Sequence, residues 1–389
     1  MKTKMTDILM TPRWSLFGEN ALDKAKTFWP SFGKKALIVT GKHVAKSVMM
    51  EKLMQALEDV GITGIVFDGI TGEPTDAMIQ EGTNLYKIKN CDFCIGIGGG
   101  SPLDSAKAIA AMSSLPGKIS DYNGKEIDGD FPAVVAIPTT AGTGSEATKF
   151  TIITDTESDV KMLLKGDVLL PDMAVVDPSF SWSSPQSVTA ATGLDALTHA
   201  IEAYTSRKAG AITDVLALSA IKRIFRFLPR AYQDGSDKEA RKEMAVAAWE
   251  AGVCINNSSV TLVHGMSRPV GALFHVPHGM SNAMLLKVCL NFALDGAYER
   301  FGKIGRKIGA ADLKDPDQKA AEKMLVKLES LCRICDVPSL EDYGVNKEKF
   351  MENIGKMSKD AMDSKSPANT RKRVSAEDIR GIYQKLWEK

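Results

Sequence analysis

The chain contains five histidines, His43, His199, His264, His275 and His278, and four of them fall between Gly193 and Gly279. Asp195 stands four residues before the first of these four. On a helix that spacing puts Asp195 and His199 on one face, a turn apart, where both side chains reach one point. His264 and His278 follow in a stretch punctuated by glycine and proline, Val263-His264-Gly265-Met266-Ser267-Arg268-Pro269 and Phe274-His275-Val276-Pro277-His278-Gly279. One carboxylate and three imidazoles are enough to hold a divalent ion, and Asp195, His199, His264 and His278 supply them. Such mixed donors suit Fe(II), Zn(II), Co(II) or Ni(II), and affinity alone does not choose among these. A lone Asp-x3-His pair is commoner on a protein surface than in a metal site. The weight lies in the concentration of histidine in one window of a histidine-poor chain. A four-ligand site with room for one more oxygen acts as a Lewis acid, polarising a carbonyl for hydride attack or stabilising an alkoxide as hydride leaves.

A second chemistry is written in two glycine turns. Ile95-Gly96-Ile97-Gly98-Gly99-Gly100-Ser101-Pro102-Leu103-Asp104 joins an apolar strand to a helix. Its glycines let the backbone approach a phosphate, Ser101 reads as the N-cap with Asp104 completing a Ser-x-x-Asp cap, and Pro102 suits the first helical position. The free N–H groups of that helix start attract a pyrophosphate. The pattern departs from the common dinucleotide fingerprint, because Ser101 takes the place of its third glycine and the turn follows the third strand rather than the first. The other turn, Pro138-Thr139-Thr140-Ala141-Gly142-Thr143-Gly144-Ser145-Glu146, offers hydroxyls and backbone donors to a ribose or nicotinamide.

The elements that must position these residues fall into two groups. Up to residue 182, short apolar runs alternate with amphipathic helical stretches. The strands are Lys35–Thr40, Gly64–Phe67, Phe93–Ile97, Ala133–Ile137 and Met173–Asp177, and the helices are Ser47–Val60, Thr75–Lys87 and Pro102–Met112, with a hairpin turning around Asp155–Asp159. This alternation predicts a doubly wound, mostly parallel sheet in an α/β dinucleotide-binding domain over 1–182. From 183 to 389 helical periodicity takes over, in Thr189–Tyr204, Ile212–Phe227, Lys238–Asn256, Met280–Asn291, Asp295–Ile308, Ala320–Cys335 and Ala376–Glu388, which predicts an all-helical metal-binding domain. A dinucleotide on the sheet, a metal in the helices and a substrate between them would make a dehydrogenase.

Composition narrows the classes. A length of 389 residues suits two domains, and 44% apolar with 25% charged residues is ordinary for a globular enzyme. The formal net charge of +1 gives no electrostatic case for nucleic acid or an anionic membrane. Met1–Pro12 has no uninterrupted apolar core and no later run approaches a membrane span, so the expected location is the cytoplasm. The six cysteines include two Cys-x-x-Cys pairs, Cys91/Cys94 beside a strand and Cys332/Cys335 in a helix, which read as buried thiols rather than a zinc ribbon.

The two glycine turns, the Gly193-Leu194-Asp195-Ala196-Leu197-Thr198-His199-Ala200-Ile201-Glu202 motif and the His264 to His278-Gly279 segment, in this order and at these separations, resemble the iron-containing (group III) alcohol dehydrogenases over nearly the whole chain. The resemblance implies a dehydroquinate synthase-like fold, commonly a homodimer, with Fe²⁺ or sometimes Zn²⁺ on Asp195, His199, His264 and His278. It also implies NAD(P)H, with Gly98, Gly99 and Ser101 at the pyrophosphate and Thr139, Thr140 and Lys161 at the rest of the cofactor. Small aldehydes and primary alcohols would be the substrates.

Three departures bear on mechanism. Where NAD-preferring members commonly end the first strand with an aspartate, this chain has Gly41 followed by Lys42 and His43, which predicts that NADPH is accepted. Glu73 replaces an asparagine of the family's Pro-Asn-Pro loop. Arg268 stands where many members carry a histidine four residues after the third ligand. A guanidinium is a poor proton shuttle and a good two-pronged donor to an anion, so Arg268 is expected at an anionic or strongly polar substrate tail, and His275 in proton movement. The rival readings are a dehydroquinate-synthase-like lyase, whose basic phosphate-binding clusters are not evident, and a non-catalytic metal or nucleotide binder.

Overall fold

A computed structural model describes residues 8–158 and 160–388. Most of the Met1–Pro12 reading, and Asp159 at the end of the expected hairpin turn, lie outside the described residues. The chain divides into a unit of Thr11–Ser184 and a unit of Pro185–Lys389 joined by the segment ending at Met10, whose backbone is held by the side chains of Asn256 and Asn257.

In the first unit the strands are β1 (Trp14–Phe17), β2 (Lys35–Val39), β3 (Thr63–Phe67), β4 (Phe93–Gly98), β5 (Val134–Pro138), β6 (Phe150–Asp155), β7 (Val160–Lys165) and β8 (Met173–Val176). Six of them form one sheet in the order β1-β8-β5-β4-β2-β3, with every pairing parallel, while β6 and β7 form a separate antiparallel ribbon. The connecting helices are α1 (Ala21–Ala25), α2 (Lys42–Ala45), α3 (Val48–Glu58), α4 (Asp76–Lys89) and α5 (Gly100–Ser114).

Period-two alternation sorts the strand side chains. Ala36, Ile38, Ile95 and Ile97 share a core with Leu22, Leu53 and Leu57 of α1 and α3. Leu37, Val39 and Cys94 share the other with Ile79, Tyr86, Ala106 and Ile109 of α4 and α5. Helices therefore cover both faces, which is what double winding requires. Strand β1 is too short and mixed to show a pattern in the sequence; it is fixed by pairing with β8 at the sheet edge.

The second unit is helical: α6 (Gln186–Thr205), α7 (Ala211–Gln233), α8 (Lys238–Asn257), α9 (Leu262–Phe274), α10 (His278–Ala293), α11 (Tyr298–Lys307), α12 (Asp317–Ile334), α13 (Lys347–Asp363) and α14 (Ala376–Lys385). Helix α6 is buried on nearly every side and packs against α7, α8 and α10. Two helices, α9 and α13, are not among those that periodicity marks. In α9 the breakers Gly265, Pro269 and Gly271 hide the helix, although Pro269 removes only the bond that would reach the Gly265 carbonyl. The run expected as one helix over Asp295–Ile308 is a 3-10 turn at Leu294–Gly296 followed by α11.

All six cysteines are free, five of them buried and Cys332 partly so. Among the described residues neither Cys-x-x-Cys pair belongs to a group of three or more potential metal ligands. No helix among those residues is long and apolar enough to cross a membrane.

Candidate metal centre

Asp195, His199 and Glu202 follow one another at four- and three-residue steps along α6, so their side chains share one face. His264 is the third residue of α9 and His278 the first of α10. Three glycines let these helices approach. A Cβ on Gly193 would overlap Leu228 of α7, one on Gly279 would overlap the Ala191 carbonyl of α6, and one on Gly265 would come within 2.7 Å of Pro367. Each glycine lies within two residues of a ligand, and each is required by close packing rather than by backbone conformation.

One donor atom from each of Asp195, His199, His264 and His278 lies within 4.8 Å of the other three. Asp195 Oδ1 is 3.8 Å from His199 Nε2, 3.7 Å from His264 Nε2 and 3.7 Å from His278 Nε2. Four donors held at metal–ligand distances of ~2.1 Å around a tetrahedral ion stand about 3.4 Å apart. The three spacings from Asp195 Oδ1 are a few tenths of an ångström wider and every donor pair lies within 4.8 Å, so a small inward shift of the side chains would close the set on a divalent ion. The His199 and His264 rings stack at 4.6 Å between centroids, and His264 and His278 are tilted at 5.3 Å. Burial works against the Asp195 carboxylate, yet the imidazoles of His199, His278 and His264 hold it well below the usual carboxylate range. His278 is partly exposed, yet desolvation of its ring within the cluster, countered by Asp195, lowers its pKa and favours the neutral form a metal needs.

Behind His264 sits Glu202, fully buried, with Oε2 2.5 Å from His264 Nδ1. Its Oε1 accepts from the Thr261 hydroxyl and the Val263 N–H, each at 2.7 Å. Burial would raise its pKa, but His264 and these donors more than offset that and keep it ionised. An ionised carboxylate has no proton to give, so Nδ1 of His264 carries one, and a metal ion at the cluster would take the Nε2 lone pair. Asn282, one turn after His278, donates from Nδ2 to Asp195 Oδ1 at 2.7 Å and lies 3.1 Å and 3.3 Å from Nε2 of His264 and His278. Its buried Oδ1 has no partner among the described residues. Glu202 and Asn282 were not singled out in the sequence. The seven-residue step from Asp195 to Glu202 was the signal for the first, and the four-residue step from His278 to Asn282 for the second.

In the α/β unit, β4 ends at Gly98 with φ +150°, and Gly99, not Ser101, caps α5. The Ser101–Asp104 cap is therefore corrected. The helix starts two residues earlier, and Asp104 is drawn away to accept from the Ser145 hydroxyl at 2.5 Å and the Ile152 N–H at 2.9 Å. It ties the first glycine turn to the second and to β6. Gly100 and Thr143 pack closely, Thr139 N–H donates to the Gly98 carbonyl at 2.8 Å, and Thr140 lies beside Gly99. The N–H groups of Gly99, Gly100 and Ser101 precede the first intrahelical bond, which leaves them for an anion. Behind the turns Lys107 is buried, with its ammonium donating to the Phe150 carbonyl at 2.9 Å.

Gly41 caps the four-residue α2, and a Cβ there would come within 2.8 Å of the Ile70 carbonyl. Lys42 and His43 beside it are exposed. Lys161, expected at the cofactor, pairs with Glu73 at 2.6 Å. His275 is exposed and ends α9 in the left-handed conformation, φ +56°. Arg268 is partly buried on α9, one turn after His264, and donates to the Ser366 hydroxyl at 3.2 Å.

Comparison with known proteins extends this geometry. The family model described as iron-containing alcohol dehydrogenase matches residues 12–178, and that of the C-terminal part of the Fe-containing alcohol dehydrogenase family matches residues 189–387. The chain is 35% identical over 383 residues to the NAD-dependent methanol dehydrogenase of Bacillus methanolicus, covering 98% of this chain and 99% of that protein. It is 31% identical over 383 residues to the NADPH-dependent butanol dehydrogenase of Clostridium saccharobutylicum, covering 96% of each. A crystal structure of 1,3-propanediol oxidoreductase superposes with a TM-score of 0.95 at 33% identity, covering 98% of this chain and 100% of that one.

Proposed function

The chain belongs to the iron-containing alcohol dehydrogenase family, and from that premise we propose that it interconverts small aldehydes and primary alcohols with NAD(P)H as the hydride carrier. The observation that carries the reading is the convergence of Asp195, His199, His264 and His278 from three helices onto one point. A divalent ion bound there supplies Lewis acidity to a carbonyl oxygen, and the reduced nicotinamide supplies the hydride. Asp195 contributes the one negative charge among the four ligands, and Glu202 holds His264 in the tautomer that presents Nε2. Gly99, Gly100 and Ser101 offer their N–H groups to the pyrophosphate, while Thr139 and Thr140 stand beside that turn for the rest of the dinucleotide. The end of β2 carries no carboxylate, and the close approach of Gly41 to Ile70 leaves no room for one on this backbone, which supports use of NADPH. His275, exposed and three residues before His278, is the imidazole assigned to proton exchange with solvent. The family resemblance supports a homodimer as the working assembly. A lyase of dehydroquinate-synthase type has no support in the relatives, which are alcohol dehydrogenases.

The test is reconstitution of the protein with Fe²⁺ or Zn²⁺ and a panel of aldehydes, following absorbance of NADH and of NADPH. Turnover is expected with either metal, lost on chelation, and NADPH should serve at least as well as NADH. No oxidation of either nucleotide with any aldehyde would sink the reading. Repeating the pH–rate profile with His275→Ala should remove one limb, and an unchanged profile would take His275 out of the proton path.

A further inference from the structure

We propose that Arg268 forms an anion subsite beside the metal centre, so that the preferred substrate is a short aldehyde, or its alcohol, bearing a terminal carboxylate or sulfonate. The proposal rests on the reading of the centre as an aldehyde-reducing site and names its substrate class.

The position comes first. Arg268 follows His264 by four residues on α9, so the two side chains leave the same helical face with Cβ atoms about 6 Å apart. A substrate oxygen at the ligand cluster and a charged group at Arg268 would belong to one small molecule, not to two.

The partner inventory comes next. Most arginines of the helical unit that leave the solvent are matched to carboxylates: Arg223 to Glu243, Arg230 to Asp237, Arg300 to Asp214 and Arg306 to Asp317. Arg207 and Arg241 are matched instead to backbone carbonyls, while Arg371, also partly buried, has no carboxylate within 4.0 Å among the described residues and a buried Nε without a partner. Arg268 has neither carboxylate nor carbonyl. Among the described residues no carboxylate oxygen comes within 4.0 Å of it, and its one hydrogen bond goes to the neutral hydroxyl of Ser366. The carboxylate that most affects it electrostatically is Glu202, whose oxygens are already engaged by His264, Thr261 and the Val263 N–H. A guanidinium carries five donors in a planar fork and stays charged; with Arg268 only partly buried and one donor engaged, its remaining N–H groups are available to an anion.

The chemistry selects the ligand. Two N–H groups in one plane match the two oxygens of a carboxylate or sulfonate, and a point-charge lysine would not match them as well. A guanidinium cannot give up its proton near neutrality, so Arg268 is suited to hold the substrate tail rather than to relay a proton.

The experiment compares an ω-carboxylated aldehyde with the unsubstituted aldehyde of equal chain length, in the wild type, Arg268→Ala and Arg268→Lys. The wild type should favour the acidic aldehyde in kcat/KM, mainly through KM. Arg268→Ala should lose about 10- to 100-fold on that substrate and less than about threefold on the neutral one, with Arg268→Lys in between. Calorimetric titration with succinate, which needs no turnover, should show binding to the metal-loaded wild type that Arg268→Ala lacks, at equal metal content. Equal losses on both aldehydes, or succinate binding unchanged by Arg268→Ala, would overturn the proposal. Should no aldehyde react while succinate binding still depends on Arg268, the subsite stands and the aldehyde-reductase reading falls.

Discussion

At the scale of single residues, the cluster of Asp195, His199, His264 and His278 was legible because histidine is scarce here and four of five copies fall in one window. What surrounds them was not. A glutamate inside a helix reads as a solvated side chain, and only the fold shows Glu202 fully buried against His264 Nδ1. The expected Ser101–Asp104 cap failed for a related reason. Asp104 has a stronger call from Ser145 and from the Ile152 N–H, which local spacing cannot reveal. The Glu202 arrangement has a sharp consequence. A glutamine at 202 that kept its bonds to Thr261 and Val263 would turn an amide N–H toward His264 Nδ1. The imidazole proton would move to Nε2 and block coordination. Glu202→Gln is therefore expected to retain metal about 10- to 100-fold less well. Metal content after matched dialysis is the measurement, and full occupancy would remove Glu202 from this role.

At the scale of elements, the strands and most helices could be read from periods of two and 3.6, and the exceptions share a cause. Helix α9 carries Gly265, Pro269 and Gly271, each a breaker by local rules, yet burial against Pro367 and the rest of the unit overrides them. Strand β1 exists because β8 supplies its partner. The glycines beside the ligands measure how tightly the ligand-bearing helices meet. Gly279→Ala would drive a methyl into the Ala191 carbonyl, and it is expected to cost about 1–3 kcal/mol and to shift His278. Gly355 on α13 and Gly381 on α14 have nothing within 4 Å of an added Cβ, so alanine there should be neutral or stabilising by roughly 0.5–1 kcal/mol. Denaturant unfolding of the three variants makes the comparison, and equal effects at all three would show that the close approach does not matter.

At the scale of the whole molecule, alternation of strands and helices gave the fold class, but not the order β1-β8-β5-β4-β2-β3, because pairing in a parallel sheet joins residues far apart in sequence. The two units have separate cores and, on the function proposed, separate ligands. Removing metal should lower the melting temperature of the helical unit, and NAD(P)H should raise that of the α/β unit. The centre is also asymmetric in a way that governs exchange. The Asp195, His199 and His264 side chains are 2%, 6% and 3% exposed, but that of His278 is 39% exposed. Water reaches the cluster at His278, so an ion would detach there first and return by the same route. A substrate entering by that doorway would stand in the way of this exchange. Saturating alcohol should then slow loss of metal to a chelator, followed as absorbance of the chelate; a rate indifferent to alcohol would mean that ion and substrate come and go by different paths.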